Sequence, residues 1–203
     1  MDEKKLFPLN SGDAIDTAGS LRMLWYCRGI WFITLALSLF LTIPLLSVLA
    51  KLAVYGCGGY VFLKVCREHP SYKKPGMIYC AMTVCLAAIH FLHLEALSLL
   101  YSFGTLAALY LECNAHAELT SSQNPKLSAG WKKLFGYHIL VMVLTIVSTM
   151  IGTIFVMDNG EQLPVIASAI ALLLNLASLG LELLHLSLLQ KTVSLPAQGE
   201  NPV

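Results

Sequence analysis

GMIYCAMTVCLAAIHFLHLEALSLLYSFGTLAALYL, from Gly76 to Leu111, runs for 36 residues without lysine, arginine or proline. As a single helix it would be about 54 Å long, against a bilayer hydrocarbon core of about 30 Å. Its strongly polar interruption, His90, His93 and Glu95, falls near the middle. The stretch is therefore predicted to fold back there into two spans, 76–92 and 95–112, although neither glycine nor proline marks the turn.

The same measure applied on either side gives four further spans. Towards the N-terminus they are 25–41, opening with Trp25, Tyr26 and Trp31 as interfacial aromatics, and 44–64, beginning at the proline of Thr42-Ile43-Pro44. Towards the C-terminus they are 136–157 and 163–188, separated by Asp158-Asn159-Gly160-Glu161-Gln162, a run rich in turn formers. The expected architecture is all-α: a polytopic bundle of six transmembrane helices arranged as three hairpins. A polar segment, 1–20, precedes the membrane domain 21–190, and a tail, 191–203, follows it. Composition agrees, with 57% hydrophobic and 12% charged residues. A soluble domain carries about 25% charged residues, so most of this chain's surface is expected to meet lipid.

Charge supplies an independent test. Of the 13 basic residues, all but Lys51 fall at one face of this threading; the opposite connections carry Glu95, Asp158 and Glu161 and no basic residue. The positive-inside rule then puts both termini and the connections 64–75 and 113–135 in the cytoplasm, in a cell membrane, with an uncleaved first span. In the long connection 113–135, Trp131, Leu134 and Phe135 alternate with Lys132 and Lys133, the pattern of a short interfacial helix. Six cysteines without a CxxC pair give no disulfide framework.

The second member of each hairpin carries a polar stripe at alternating three- and four-residue spacing. In the sixth span it includes Asn175, Ser178, Glu182 and His185; in the fourth, Tyr101, Thr105 and Glu112, with His116 one turn later; in the second, Cys57, Tyr60 and Lys64. Lys64, Glu112 and Glu182 lie at comparable depth, within about 5 Å at the helical rise per residue. A carboxylate in hydrocarbon is costly unless paired, so a cluster of Lys64 with Glu112 and Glu182 is expected, ringed by His116, His138 and His185. The bland alternative has Lys64 snorkelling to headgroups and both glutamates wet. At the outer edge, Lys51 is expected to snorkel outward or to pair with Glu95.

Chemistry is less legible. Glu182-Leu183-Leu184-His185 has the Glu-x-x-His spacing of di-iron bundles, but occurs once. Glu112, His116, Glu182 and His185 are thus weak metal candidates, and a haem between His138 and His185 is weaker still. No cofactor is assigned. No nucleophile elbow, paired intramembrane aspartates or phosphate-cradling glycine motif occurs, so the sequence gives no positive support for catalysis and no nucleotide site. A net charge of +1 gives no reason to expect nucleic acid. Partners are expected to be the bilayer and other membrane subunits. Two classes remain: a transport-associated subunit or small-solute permease, and a non-catalytic scaffold whose stripes hold partner helices.

Overall fold

The computed structural model describes residues 17–37, 44–159 and 164–195; side chains at Pro44, Glu95, 152–159 and 164–167 are outside the described set. The described residues form α1 (Thr17–Leu37), α2 (Pro44–Val65), α3 (Lys73–Phe91), α4 (Ser98–Ser121), α5 (Pro125–Asn159) and α6 (Pro164–Val193), with no strand among them. Short 3₁₀ turns at Pro70–Tyr72 and Glu95–Leu97 lead into α3 and α4. Among the described residues, four stretches are long and apolar enough to cross a membrane: Leu45–Val65, Pro70–Phe91, Pro125–Ile151 and Ser168–Val193. The 36-residue run does divide, with α3 ending at Phe91 and His93 adopting a left-handed φ of 53°, a region histidine tolerates better than most side chains. The turns expected at Thr42-Ile43-Pro44 and Asp158–Gln162 lie largely outside the described residues.

The region 113–135 differs from the expectation of a long connection. Helix α4 continues to Ser121, and α5 begins at Pro125, leaving a three-residue turn. Asn124 organises it: its side-chain Oδ1 accepts from the Leu127 amide at 3.0 Å, capping one orphan N–H of the helix, and its carbonyl accepts from the Ser128 amide at 3.0 Å, the first bond of the helical ladder. The stretch read as a separate interfacial helix is the first part of α5. Leu127, Trp131 and Leu134, at i, i+4 and i+7, are buried in the protein, while Lys132 and Lys133 on the other face are exposed. An amphipathic segment looks the same whether its apolar face meets lipid or a neighbouring helix; here it meets helices.

Each helix packs on its neighbour in sequence, and α6 returns to α1, closing a ring in chain order. One end of this ring is tightly packed. It gathers the start of α1, the end of α2, the start of α3, the end of α4, the start of α5 and the end of α6, held by a continuous core that includes Leu21, Phe62, Tyr72, Cys113, Trp131 and Leu189. Polar links clasp the same end. Thr17 Oγ1 donates to Glu68 Oε2 at 2.6 Å, Trp25 Nε1 to the Leu186 carbonyl at 3.2 Å, Ser128 Oγ to the Ala117 carbonyl at 2.7 Å, and Trp131 Nε1 to Thr192 Oγ1 at 3.1 Å. Towards the other end α5 and α6 show apolar side chains outward, among them Leu144, Val147, Leu173 and Leu176, all exposed. Such a surface suits lipid and not water.

Glycine lets α2 and α3 come together. A Cβ on Gly59 would lie 3.1 Å from the Cys80 backbone nitrogen, and one on Gly76 would lie 3.0 Å from the Leu63 backbone nitrogen. The two backbones are in near contact, as small residues permit in membrane bundles.

Candidate functional site: a buried ion-paired cluster beneath a cavity

At the boundary between the packed end and the looser end sits Glu112, in the last part of α4 and fully buried. Its two oxygens are served separately. Oε2 is ion-paired with Arg28 Nη2 from α1 and accepts a hydrogen bond from the Tyr79 hydroxyl of α3. Arg28 Nη2 also donates to the Tyr79 oxygen at 2.7 Å, so guanidinium, phenol and carboxylate form a closed triangle. Oε1 accepts from His185 Nε2 of α6 at 3.1 Å and has His116 Nε2 at 3.8 Å. Glu182, one turn before His185, brings Oε2 to 3.5 Å from Arg28 Nη1. The arginine thus bridges two carboxylates, the fork geometry that guanidinium suits better than an ammonium.

The imidazoles are fixed from behind. The Tyr72 hydroxyl is 2.7 Å from His116 Nδ1; with the phenol donating, the ring proton sits on Nε2, facing Glu112. The Trp131 indole stacks on His116 at 4.4 Å and 22°, and meets His185 edge-on at 5.2 Å. Phe62 of α2 packs against Tyr72, Tyr79 and His116. Every helix of the ring therefore contributes to the cluster or its aromatic casing. His185 Nδ1 has no partner and is buried. A cationic His185 would bury a second N–H with no acceptor, so the ring is a neutral Nε2–H donor.

The sequence-derived residues are distributed as follows. Glu112, His116, Glu182 and His185 come together. The cation expected among them, Lys64, is replaced by Arg28. Lys64 lies in the last turn of α2, partly exposed, and makes no ion pair among the described residues. There its charge is favoured by the helix C-terminus and by nearby water. His138 stands outside the cluster; its Nδ1 donates to the Leu134 carbonyl at 3.0 Å. Tyr101, Thr105 and Ser178 line a cavity above the cluster, and Asn175 is exposed. Lys51 lines the same cavity, with its Nζ 5.7 Å from the centre of the Trp31 ring; the side chain of its expected partner Glu95 is not among those described. For a metal, the four weak candidates are arranged around a guanidinium, and among the described residues no group of three or more His, Cys, Asp or Glu could hold an ion. Arg28, Tyr79, Tyr72 and Trp131 were not foreseen in this role. One signal was available: Arg28 lies three residues before Trp31, inside the apolar run of the first span.

The cavity has a volume of about 560 Å³ and is lined from all six helices, within the range of small-molecule sites. Arg28, Tyr79 and Glu182 form its floor, Tyr55, Tyr101, Thr105 and Ser178 its walls, and Lys51 with Trp31 the far part. Tyr55 packs on Tyr79 at 5.3 Å and on Tyr101 at 6.0 Å.

Among the described residues, fold and site together define a helical bundle with four helices fit to cross a membrane and a cavity resting on a buried ion-paired cluster. Comparison with known proteins found no matching family model, no matching curated protein and no matching solved structure.

Proposed function

We propose that this chain is a six-span protein of the cell membrane, with both termini cytoplasmic, whose central cavity binds and passes a small solute, either alone or as the membrane subunit of a larger transporter. The observation that carries the reading is the cavity itself, walled by every helix and floored by a charged cluster. A scaffold needs helix contacts but no cavity with a charged floor. Charge supports the threading. Arg22, Lys64, Arg67, Lys73, Lys74, Lys126, Lys132, Lys133 and Lys191 belong to helix ends or turns that meet at the packed end, which by the positive-inside rule is cytoplasmic. Helices α1 and α4 carry Arg22 and Arg28 in one and Glu112 and Glu118 in the other. Their buried charges face the cluster rather than lipid, the way a spanning helix tolerates them.

Two measurements test the reading. Single-cysteine labelling at positions 73 and 132, in a variant lacking the native cysteines, is expected to find both on the cytoplasmic side; opposite sides would refute the threading. Proteoliposomes of the full chain are expected to swell in isosmotic small solutes faster than empty liposomes. Ser178→Trp, which drives an indole into the cavity from its wall, should abolish that difference while the thermal unfolding midpoint is retained. Swelling equal to empty liposomes in both proteins would favour the scaffold.

A further inference from the structure

The cavity has two ends of opposite charge, and this reading of its ligand rests on the solute-binding function proposed above. At the floor, Arg28 contributes one positive charge against the carboxylates of Glu112 and Glu182, so with neutral imidazoles the floor carries one net negative charge. The two carboxylates are not equivalent. Glu112 is fully buried and receives Arg28, Tyr79 and His185 at hydrogen-bonding distance, whereas the Glu182 side chain, 15% exposed, lines the cavity, and its buried Oε2 has only the guanidinium at 3.5 Å and no hydrogen-bond donor. At the far part stands the Lys51 ammonium, partly buried, over the Trp31 ring, and without an ion pair among the described residues. An ammonium inside a bilayer needs a counter-charge.

The walls reinforce the polarity. The hydroxyls of Thr105, Thr145 and Ser178 donate to carbonyls of their own helices, at 2.7, 2.8 and 3.0 Å. Their protons are thereby used, and the lone pairs left over can only accept. The cavity therefore offers acceptors and aromatic faces along its walls and the part-exposed Glu182 carboxylate at its floor, which suit an ammonium group. Lys51 offers donors and suits a carboxylate. Lys51 precedes Tyr55 by one turn, about 6 Å along α2, and Tyr55 packs on the floor residue Tyr79.

The geometry points to a small zwitterion as the ligand of this cavity, its ammonium at Glu182 and its carboxylate at Lys51. A short ω-amino acid, with charges several bonds apart, offers a charge to each end; a molecule carrying only one of the charges leaves the other end unanswered.

The test is isothermal titration of the full chain in lipid nanodiscs with three probes of similar size: δ-aminovalerate, valerate and pentylamine. The zwitterion is expected to bind about tenfold or more tighter than either single ion, the order of one charge-assisted hydrogen bond. Lys51→Met should bring pentylamine level with δ-aminovalerate while valerate stays weak, and Glu182→Gln should bring valerate level while pentylamine stays weak. This crossed pattern is one that a purely structural role for either residue does not produce. Lys51→Met lies apart from the cluster and should keep its unfolding midpoint, so the lysine arm stands even if Glu182→Gln folds poorly. Saturable binding of valerate or pentylamine as tight as the zwitterion's, or a ranking unmoved by Lys51→Met, would overturn the zwitterion and leave the cavity reading standing. Absence of saturable binding by all three, together with liposomes that do not swell, would overturn both. Equal losses of stability in Lys51→Met and Glu95→Gln would assign the lysine to a structural pair and overturn the inference.

Discussion

Replacing Arg28 with methionine is expected to destabilise the bundle by about 3–5 kcal/mol, the cost of leaving buried carboxylates without their cation. The expectation follows from position. Arg28 is buried, bridges Glu112 and Glu182, and shares the Tyr79 hydroxyl, so α1, α3, α4 and α6 meet through one side chain. Methionine keeps most of the stem's volume but removes the charge, leaving the buried Glu112 and the part-buried Glu182 without the cation they share. The measurement is the midpoint of unfolding in mild detergent for the wild type and three variants. Lys64→Met, the residue that sequence spacing favoured, should lose less than about 1 kcal/mol, as for a partly exposed cation with no partner. Arg28→Met combined with Glu112→Gln and Glu182→Gln should recover most of the stability lost by Arg28→Met, because removing both sides of a buried pair costs far less than removing one. A single variant no worse than Lys64→Met would show that the guanidinium does not hold the helices together.

Alanine at Gly59 or Gly76 is the second large effect. At Gly76 the new methyl would stand 2.9 Å from Leu63 Cδ2 and 3.0 Å from the Leu63 nitrogen; at Gly59, 2.7 Å from Cys80 Sγ and 3.1 Å from the Cys80 nitrogen. A side chain can swing away, but a backbone nitrogen moves only with its helix, so α2 and α3 must separate. Overpacking of this kind costs about 1–3 kcal/mol per site. The shift would also displace Phe62 and Tyr79, which seat the cluster. The controls run in the opposite direction. Around Gly29, Gly136 and Gly180 nothing lies within 4 Å of a built Cβ, so alanine there should stabilise α1, α5 and α6 by about 0.5–1 kcal/mol each through helix propensity. Equal behaviour of the two sets would mean that the α2–α3 approach is looser than these distances.

Depth along a helix can be read from the chain, because rise per residue is fixed; azimuth and neighbour identity cannot. Glu112, His116, Glu182 and His185 were found by depth and spacing, and they do meet. Lys64 has the same depth, yet its helix turns it towards water at the α2 terminus. Arg28 was counted among the charges of the membrane edge, since an arginine near the start of a span reads the same whether it snorkels out or turns in. Trp131 illustrates the same ambiguity: beside Lys132 and Lys133 an indole resembles an interfacial anchor, and only the return of α6 past the start of α5 buries it against His116 and His185.

From its residues alone, then, this chain determines helices, their apolar lengths, the fold-back near His93, and a segregation of basic residues to one set of helix ends. These are local consequences of periodicity and of the cost of charge in hydrocarbon. Which cation neutralises Glu112, that the six helices close into a ring, and that a chamber remains above the ion pairs were decided only by tertiary packing. Contacts between residues 51 to 161 positions apart, such as Arg28 with Tyr79 and Trp25 with Leu186, depend on how whole helices rotate and approach, and no local pattern encodes that.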